Sequence, residues 1–124
     1  MADKSFSDVL REAAERINAL LKAFAEQKVR SIIENCANFK IGKTGESLEE
    51  RHSQPDYAGE YEHITEIYKS QNKGSVDDME TYLISRFLLN SKCDNLKSGR
   101  VSNNDTMRDN ASEYRVYLVW NDKK

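Results

Sequence analysis

The sequence predicts an α+β fold in which a small, mostly antiparallel central sheet is flanked by helices and preceded by a long amphipathic helix. Three patterns predict it. An apolar stripe at helical spacing runs from Phe6 to Phe24, a second runs from Val76 to Leu88, and Tyr114-Arg115-Val116-Tyr117-Leu118-Val119-Trp120 is a nearly continuous apolar strand. A chain of 124 residues suits one core rather than two. One domain is therefore expected, with residues 1–35 forming the leading helix and 36–124 the α/β core.

Phe6, Leu10, Ala13, Ile17, Leu20 and Phe24 are spaced 4, 3, 4, 3 and 4 apart, and Val9, Ala14 and Leu21 widen the stripe. Ser5 opens the helix, and Asp8 three residues later completes a capping box. After Phe24 the apolar pattern shifts phase to Val29, Ile32 and Ile33, which predicts a bend or restart near Gln27 and an end around Asn35. A seam this short more often packs on a core than forms a coiled coil, yet its apolar face is long enough to serve a dimer. Phe39 to Gly42 reads as a short strand entering a turn supplied by Thr44 and Gly45.

Ser47 and Glu50 repeat the capping-box spacing for a short helix that carries Leu48 and Arg51 on one face and is stopped by Pro55. Tyr61 to Tyr68 has the β-branched and aromatic content of a strand. Ser75 and Asp78 cap a second long helix that turns Val76, Met79, Leu83, Ile84, Phe87 and Leu88 inward and ends near Asn90. From Asp94 to Glu113 the chain is a polar connection, of a length that is usually functional or mobile. The apolar run that follows is expected to be a central strand.

Composition narrows the function. Charged residues make up 32% and hydrophobic ones 38%, which describes a folding chain with a solvated surface. A net charge of −2 gives no general pull toward a polyanion, so any nucleic-acid contact must be local. Two local groups qualify: Arg86, Lys92, Lys97 and Arg100, which outnumber Asp94, and Lys40, Lys43, Arg51 and His52 around the glycine turn. No apolar run approaches the roughly 20 residues of a membrane span, and the start of the chain lacks a signal-peptide pattern. A cytoplasmic protein with no membrane partner is expected. Cys36 and Cys93 have no CxxC-type partner and read as thiols.

Ala37 to Thr44 has the spacing of a phosphate-binding G-x-x-x-x-G-K-T loop with alanine at the first glycine. Such a loop needs a strand before it and a long helix after it. Here a helix precedes, Phe39 to Ile41 is strand-like, and only a short helix follows, so this is the weaker reading. Glu80 is more telling, because it falls within or beside the apolar face of its helix. A carboxylate there needs a partner, either an arginine or a hard divalent cation that leaves its remaining positions to water and phosphate. Arg51 is a natural complement, since a planar guanidinium grips phosphate through paired hydrogen bonds.

The run Phe39-Lys40-Ile41-Gly42-Lys43-Thr44, then Leu48 and Arg51-His52, then Met79-Glu80 and Leu83, then Asn95 resembles the GIY-YIG nuclease superfamily, in the phage and bacterial branch whose motif reads like Y-K-I-G-K-T. Nine residues separate Gly42 from Arg51, and 29 separate Arg51 from Glu80. The resemblance implies a GIY-YIG-like sandwich and metal-dependent cleavage of nucleic acid, DNA ahead of RNA. It further implies one Mg²⁺ or Mn²⁺ held by Glu80, with Arg51 steadying the phosphate. Tyr117, Lys40 and His52 would complete the catalytic set, and Lys43, Thr44, Arg86, Asn95 and Lys97 would contact nucleic acid. The family's first strand, which ends in tyrosine, does not precede Phe39. A permuted sheet supplies it from the C-terminus, placing the strand of Tyr117 beside Phe39 to Gly42 while the leading helix covers the sheet. Phe39 and Lys40 stand where tyrosine is more usual, so a catalytically reduced nucleic-acid-binding relative is an alternative. A non-enzymatic module that docks a partner through its N-terminal helix, with Glu80 and Arg51 as an ion pair, is another.

Overall fold

A computed structural model of the chain describes residues 4–96 and 111–123. Their order is α1 (Phe6–Ile33), β1 (Cys36–Thr44), α2 (Leu48–His52), β2 (His63–Ser70), α3 (Lys73–Phe87) and β3 (Tyr114–Asp122). The arrangement is α+β, as the sequence patterns require. Lys97, Arg100 and most of the polar connection lie outside the described residues.

The three strands form one sheet in the order β1-β3-β2, with both pairings antiparallel. The C-terminal strand is thus central, flanked by Phe39↔Trp120 to Lys43↔Val116 on one side and His63↔Trp120 to Ser70↔Tyr114 on the other. Its apolar run is explained by this position, because both faces and both edges are covered. Val116 and Leu118 point into a core with Phe39, Ile41, Val76, Leu83 and Phe87. Tyr117 and Val119 point to the other face, where they meet Tyr57, with Leu48, Tyr61 and Ile64 packed around.

β1 is longer than the four residues expected, since Cys36 to Asn38 also pair with β3. Its regular pairing removes the phosphate-loop reading: Phe39, Lys40 and Ile41 are strand residues whose backbone is committed to the sheet. Along its outer edge runs the segment after α3. The Phe39 amide donates to Lys92 O at 2.9 Å, and the Asp94 amide donates to Phe39 O at 2.7 Å. The Asn95 side chain then accepts from the Ile41 amide at 2.9 Å and donates to Ile41 O at 2.8 Å. An edge that would otherwise recruit a foreign strand is covered in this way.

Two boundaries differ from the sequence reading. Helix α3 starts earlier, at Lys73, with Asn72 as its cap accepting from the Ser75 amide at 3.0 Å. With Asn72 capping one turn earlier, the amide that Ser75 would have capped already lies inside the helix. Helix α1 shows no break at Gln27; it is continuous from its Ser5/Asp8 capping box to Ile33. The phase shift marks a change of face instead. Ala25, Val29 and Ile33 at its C-terminal end are buried in the core, while Phe6, Leu10, Ile17, Leu20 and Phe24 are exposed. The leading helix therefore covers the sheet only with its last turns, and its stripe is not core packing. Glu26 fastens that end to α3, accepting from Tyr82 Oη at 2.7 Å and pairing with Arg86 at 3.1 Å. No helix among the described residues is long and apolar enough to cross a membrane.

Candidate active site around Tyr117

The site begins with a cross-strand pair. Gly42 in β1 lies opposite Tyr117 in β3, and the Tyr117 ring folds over the glycine. A Cβ on residue 42 would collide with the phenol, and its contact with the ring carbon Cε1 would be 2.7 Å. The glycine is required here for close approach, not for turn conformation.

The loop after α2 brings a second tyrosine to the same place. Tyr57 Oη is 2.7 Å from Tyr117 Oη, and both residues are buried. Arg51, on α2, stacks its guanidinium 3.9 Å from the Tyr57 ring centre and 5.8 Å from that of Tyr117. Lys40, one position from Ile41 on the same sheet face as Gly42, places its ammonium 5.6 Å from the Tyr57 ring centre. Charge held over aromatic faces in a desolvated place is favourable by about 1–2 kcal/mol per contact. The Arg51 donors are occupied: Nη1 and Nη2 each donate to Asp56 at 2.9 Å, and Nη1 also donates to Gln54 at 2.7 Å. This fork-to-carboxylate geometry is the one a guanidinium uses for phosphate.

Burial pushes the Tyr117 phenol far above the usual tyrosine range, Tyr57 adds to the rise, and the Arg51 charge opposes it. Tyr57 is likewise raised by burial, pulled back by its bond to Tyr117 and by Arg51, and raised further by Asp56 and Glu80. Both phenols therefore hold their protons at neutral pH and act as hydrogen-bond donors. Burial works against the charge of Arg51, but the Asp56 bond and the two phenols outweigh it and hold the guanidinium above its ordinary range. Beside the cluster lies an open groove of about 520 Å³ whose lining includes Lys40, Asp56, Tyr57, Tyr61 and Asp94.

Glu80 occupies the other face of β1. Lys43, two residues on from Ile41, shares its face and points toward α3, where its ammonium is 2.7 Å from Asp77 and 3.4 Å from Glu80. Glu80 is 2% exposed, as its place in the apolar stripe required. Arg51 and Glu80 are thus not an ion pair; their partners are Asp56 and Lys43. Nor do they share one face. They flank consecutive residues of β1, Gly42 and Lys43, close enough for the Glu80 charge to act on Tyr57.

The remaining sequence candidates divide by what they touch. His52 Nε2 bonds Tyr61 O at 2.7 Å and fixes the loop that carries Tyr57. Thr44 is buried and accepts from the Glu46 amide at 3.0 Å, shaping the turn. Asn95 binds the Ile41 backbone, and Arg86 holds Glu26 at the junction of α1 and α3, so neither belongs to this cluster. Tyr57 is the residue that sequence reasoning missed. Its only signal is that Pro55-Asp56-Tyr57 follows the short helix, and an aromatic after a proline carries no mark of function.

A hard divalent ion suits the donor chemistry of Glu80 and Asp77, carboxylates three residues apart on one face of α3. Lys43 already bridges the two, so a bound cation has to share Glu80 with that ammonium. A second grouping, Glu62, His63 and Asp122, lies at the far end of the sheet, and the His63–Asp122 pair at 2.9 Å accounts for its closeness. No family model, curated protein or solved structure matches the chain.

Proposed function

We propose that the protein is a metal-dependent nucleic-acid phosphodiesterase of GIY-YIG type, acting on DNA ahead of RNA, and working in the cytoplasm where its buried thiols stay reduced. The observation that carries the reading is the Tyr117–Gly42 pair with Arg51 and Tyr57 gathered on it. Support comes from the C-terminal position of the tyrosine strand, which fills the centre of the sheet that the resemblance requires.

In this reading a phosphodiester lies in the groove beside Lys40 and Tyr57, and Arg51 transfers its fork from Asp56 to the scissile phosphate. One phenol proton bridges the Tyr57–Tyr117 pair, and the other is left to donate to a phosphoryl oxygen as charge grows there, with Lys40 supplying a second cation. A divalent ion held at Glu80 would lie on the other face of β1 from Arg51 and would oppose the phosphate charge only across the strand. Lys43, 3.4 Å away, holds the Glu80 carboxylate in place. The experiment is cleavage of single- and double-stranded DNA and RNA by the purified chain with Mg²⁺ or Mn²⁺, against Glu80→Ala. Absence of cleavage on every substrate, with nucleic-acid affinity unchanged in Glu80→Ala, excludes the reading, including its catalytically reduced form.

A second reading is favoured by a separate observation, the exposed stripe of α1: the chain docks a partner through that helix. Charging the stripe should then alter the solution behaviour of the protein. No change in solubility, hydrodynamic radius or protease sensitivity on doing so removes it.

A further inference from the structure

Tyr57 reaches the Tyr117 phenol from the segment between α2 and β2, where the chain is neither α-helix nor strand. No sheet pairing fixes its backbone, so the contacts of its neighbours decide where the ring stands.

Tyr61, four residues on, makes the telling contacts. Its amide donates to Tyr57 O at 3.1 Å, and the two rings meet edge-on with their centres 5.6 Å apart. The Tyr61 hydroxyl donates to Asp94 Oδ2 at 2.8 Å. Asp94 is itself tied twice to β1: its amide donates to Phe39 O at 2.7 Å, and the same Oδ2 accepts from Asn38 Nδ2 at 2.6 Å. An unbroken chain of contacts thus runs from β1 through Asp94 and Tyr61 to Tyr57, and on to Tyr117. Burial and the Asp94 carboxylate together push the Tyr61 phenol far above the usual tyrosine range, so it stays a donor to Asp94 at neutral pH.

We propose that Asp94 is a positioning residue of the site: through Tyr61 it sets where the Tyr57 hydroxyl stands, and so holds the Tyr57–Tyr117 pair together. The positioning stands on the contacts alone; its consequence for cleavage rests on the phosphodiesterase reading. Asp94 Oδ2 collects donors carried by two different elements, β1 and the Tyr57 segment, which is the geometry of a tie. A tie needs an acceptor and not a charge. Asparagine at residue 94 keeps one oxygen able to accept both hydrogen bonds, and alanine keeps none.

A double-mutant cycle on the full chain, read by urea denaturation, tests the positioning. The effects of Asp94→Ala and Tyr57→Phe on the unfolding constant should be non-additive by about threefold or more, since both remove the same Tyr57–Tyr117 contact. In a Tyr61→Phe background, where the tie is already cut, they should add. Additivity in the wild-type background overturns the proposal, whatever the chain does to nucleic acid. Non-additivity that survives Tyr61→Phe overturns the route through Tyr61. On DNA with Mg²⁺, Asp94→Ala should lower kcat by about tenfold or more with KM unchanged, because a displaced group costs rate and not binding. Asp94→Asn should recover most of that loss. An equal loss in Asp94→Asn overturns the proposal, because asparagine replaces a hydrogen-bond acceptor but not a proton acceptor. A wild type that cuts no substrate removes the phosphodiesterase reading and leaves the cycle to decide this one.

Discussion

Tyr117 and Gly42 face each other across the β3–β1 pair, and the tyrosine ring occupies the space that a side chain at residue 42 would fill. This relationship ties the fold to the site. The same contact that closes the central strand onto its edge neighbour fixes where the phenol points, and the phenol in turn receives Tyr57 at 2.7 Å.

A methyl group at residue 42 is therefore expected to be costly. Gly42→Ala must push the Tyr117 ring away from the strand, an overpacking worth about 1–3 kcal/mol. Chemical denaturation should show this loss. Adding Tyr117→Leu should recover part of it, because the clash disappears with the ring. Equal losses with and without Tyr117 would show that the two residues are not coupled.

Arg51 is held by a carboxylate that stands where a phosphate would bind. Asp56 is 55% exposed at its side chain against 16% for Arg51, so it is the partner free to leave. Asp56→Asn should weaken the grip, make the guanidinium more available and tighten nucleic-acid binding by several-fold, with a steeper dependence on salt. Fluorescence anisotropy against a short DNA duplex reads both. Weaker binding would mean that Asp56 positions Arg51 productively instead of competing for it.

The phenols and Glu26 set opposite pH limits on stability. Tyr57 and Tyr117 are raised above the ordinary tyrosine value of 10.0, so their contribution is complete below that pH and lost as pH rises beyond it. Glu26 is lowered from 4.5 to about 2, chiefly by the Tyr82 hydrogen bond and then by Arg30. Its contribution is complete above pH 4.5 and lost as pH falls toward 2. Thermal melts across pH should show Glu26→Gln flattening the acid limb and also moving the alkaline limb, because the Glu26 carboxylate is what raises the Tyr82 phenol, whereas Tyr57→Phe changes the alkaline limb alone. A Tyr57→Phe profile that matches wild type above pH 10 would contradict the buried phenol pair.

Much of the fold was legible because burial leaves periodic marks. The run around Tyr117 reads as a central strand since both of its faces are covered, and Glu80 reads as buried since it interrupts a helical stripe. The start of α3 was misplaced because Asn72 and Ser75 both offer cap chemistry and spacing alone does not rank them. The stripe of α1 misled for a different reason. Periodicity reports that an apolar face exists, not whether the chain itself covers it. The site was half legible: Arg51, Lys40 and Tyr117 converge, but Tyr57 arrives from a loop, where contact is set by three-dimensional closure and not by local spacing. Asn95 looked like a binding residue, and its two hydrogen bonds to Ile41 are only visible once the edge of β1 is seen.

The central claim, that the cluster around Tyr117 acts on a phosphodiester, is tested most directly by the rate of DNA cleavage with Mg²⁺ or Mn²⁺ in wild type and Arg51→Ala. Removing one preorganised charge from a desolvated site should slow cleavage by about 100-fold or more. Binding should weaken in parallel, while the circular dichroism of the folded chain is retained. Cleavage by Arg51→Ala at the wild-type rate, or a wild type that neither cuts nor binds nucleic acid with either ion, would contradict the account.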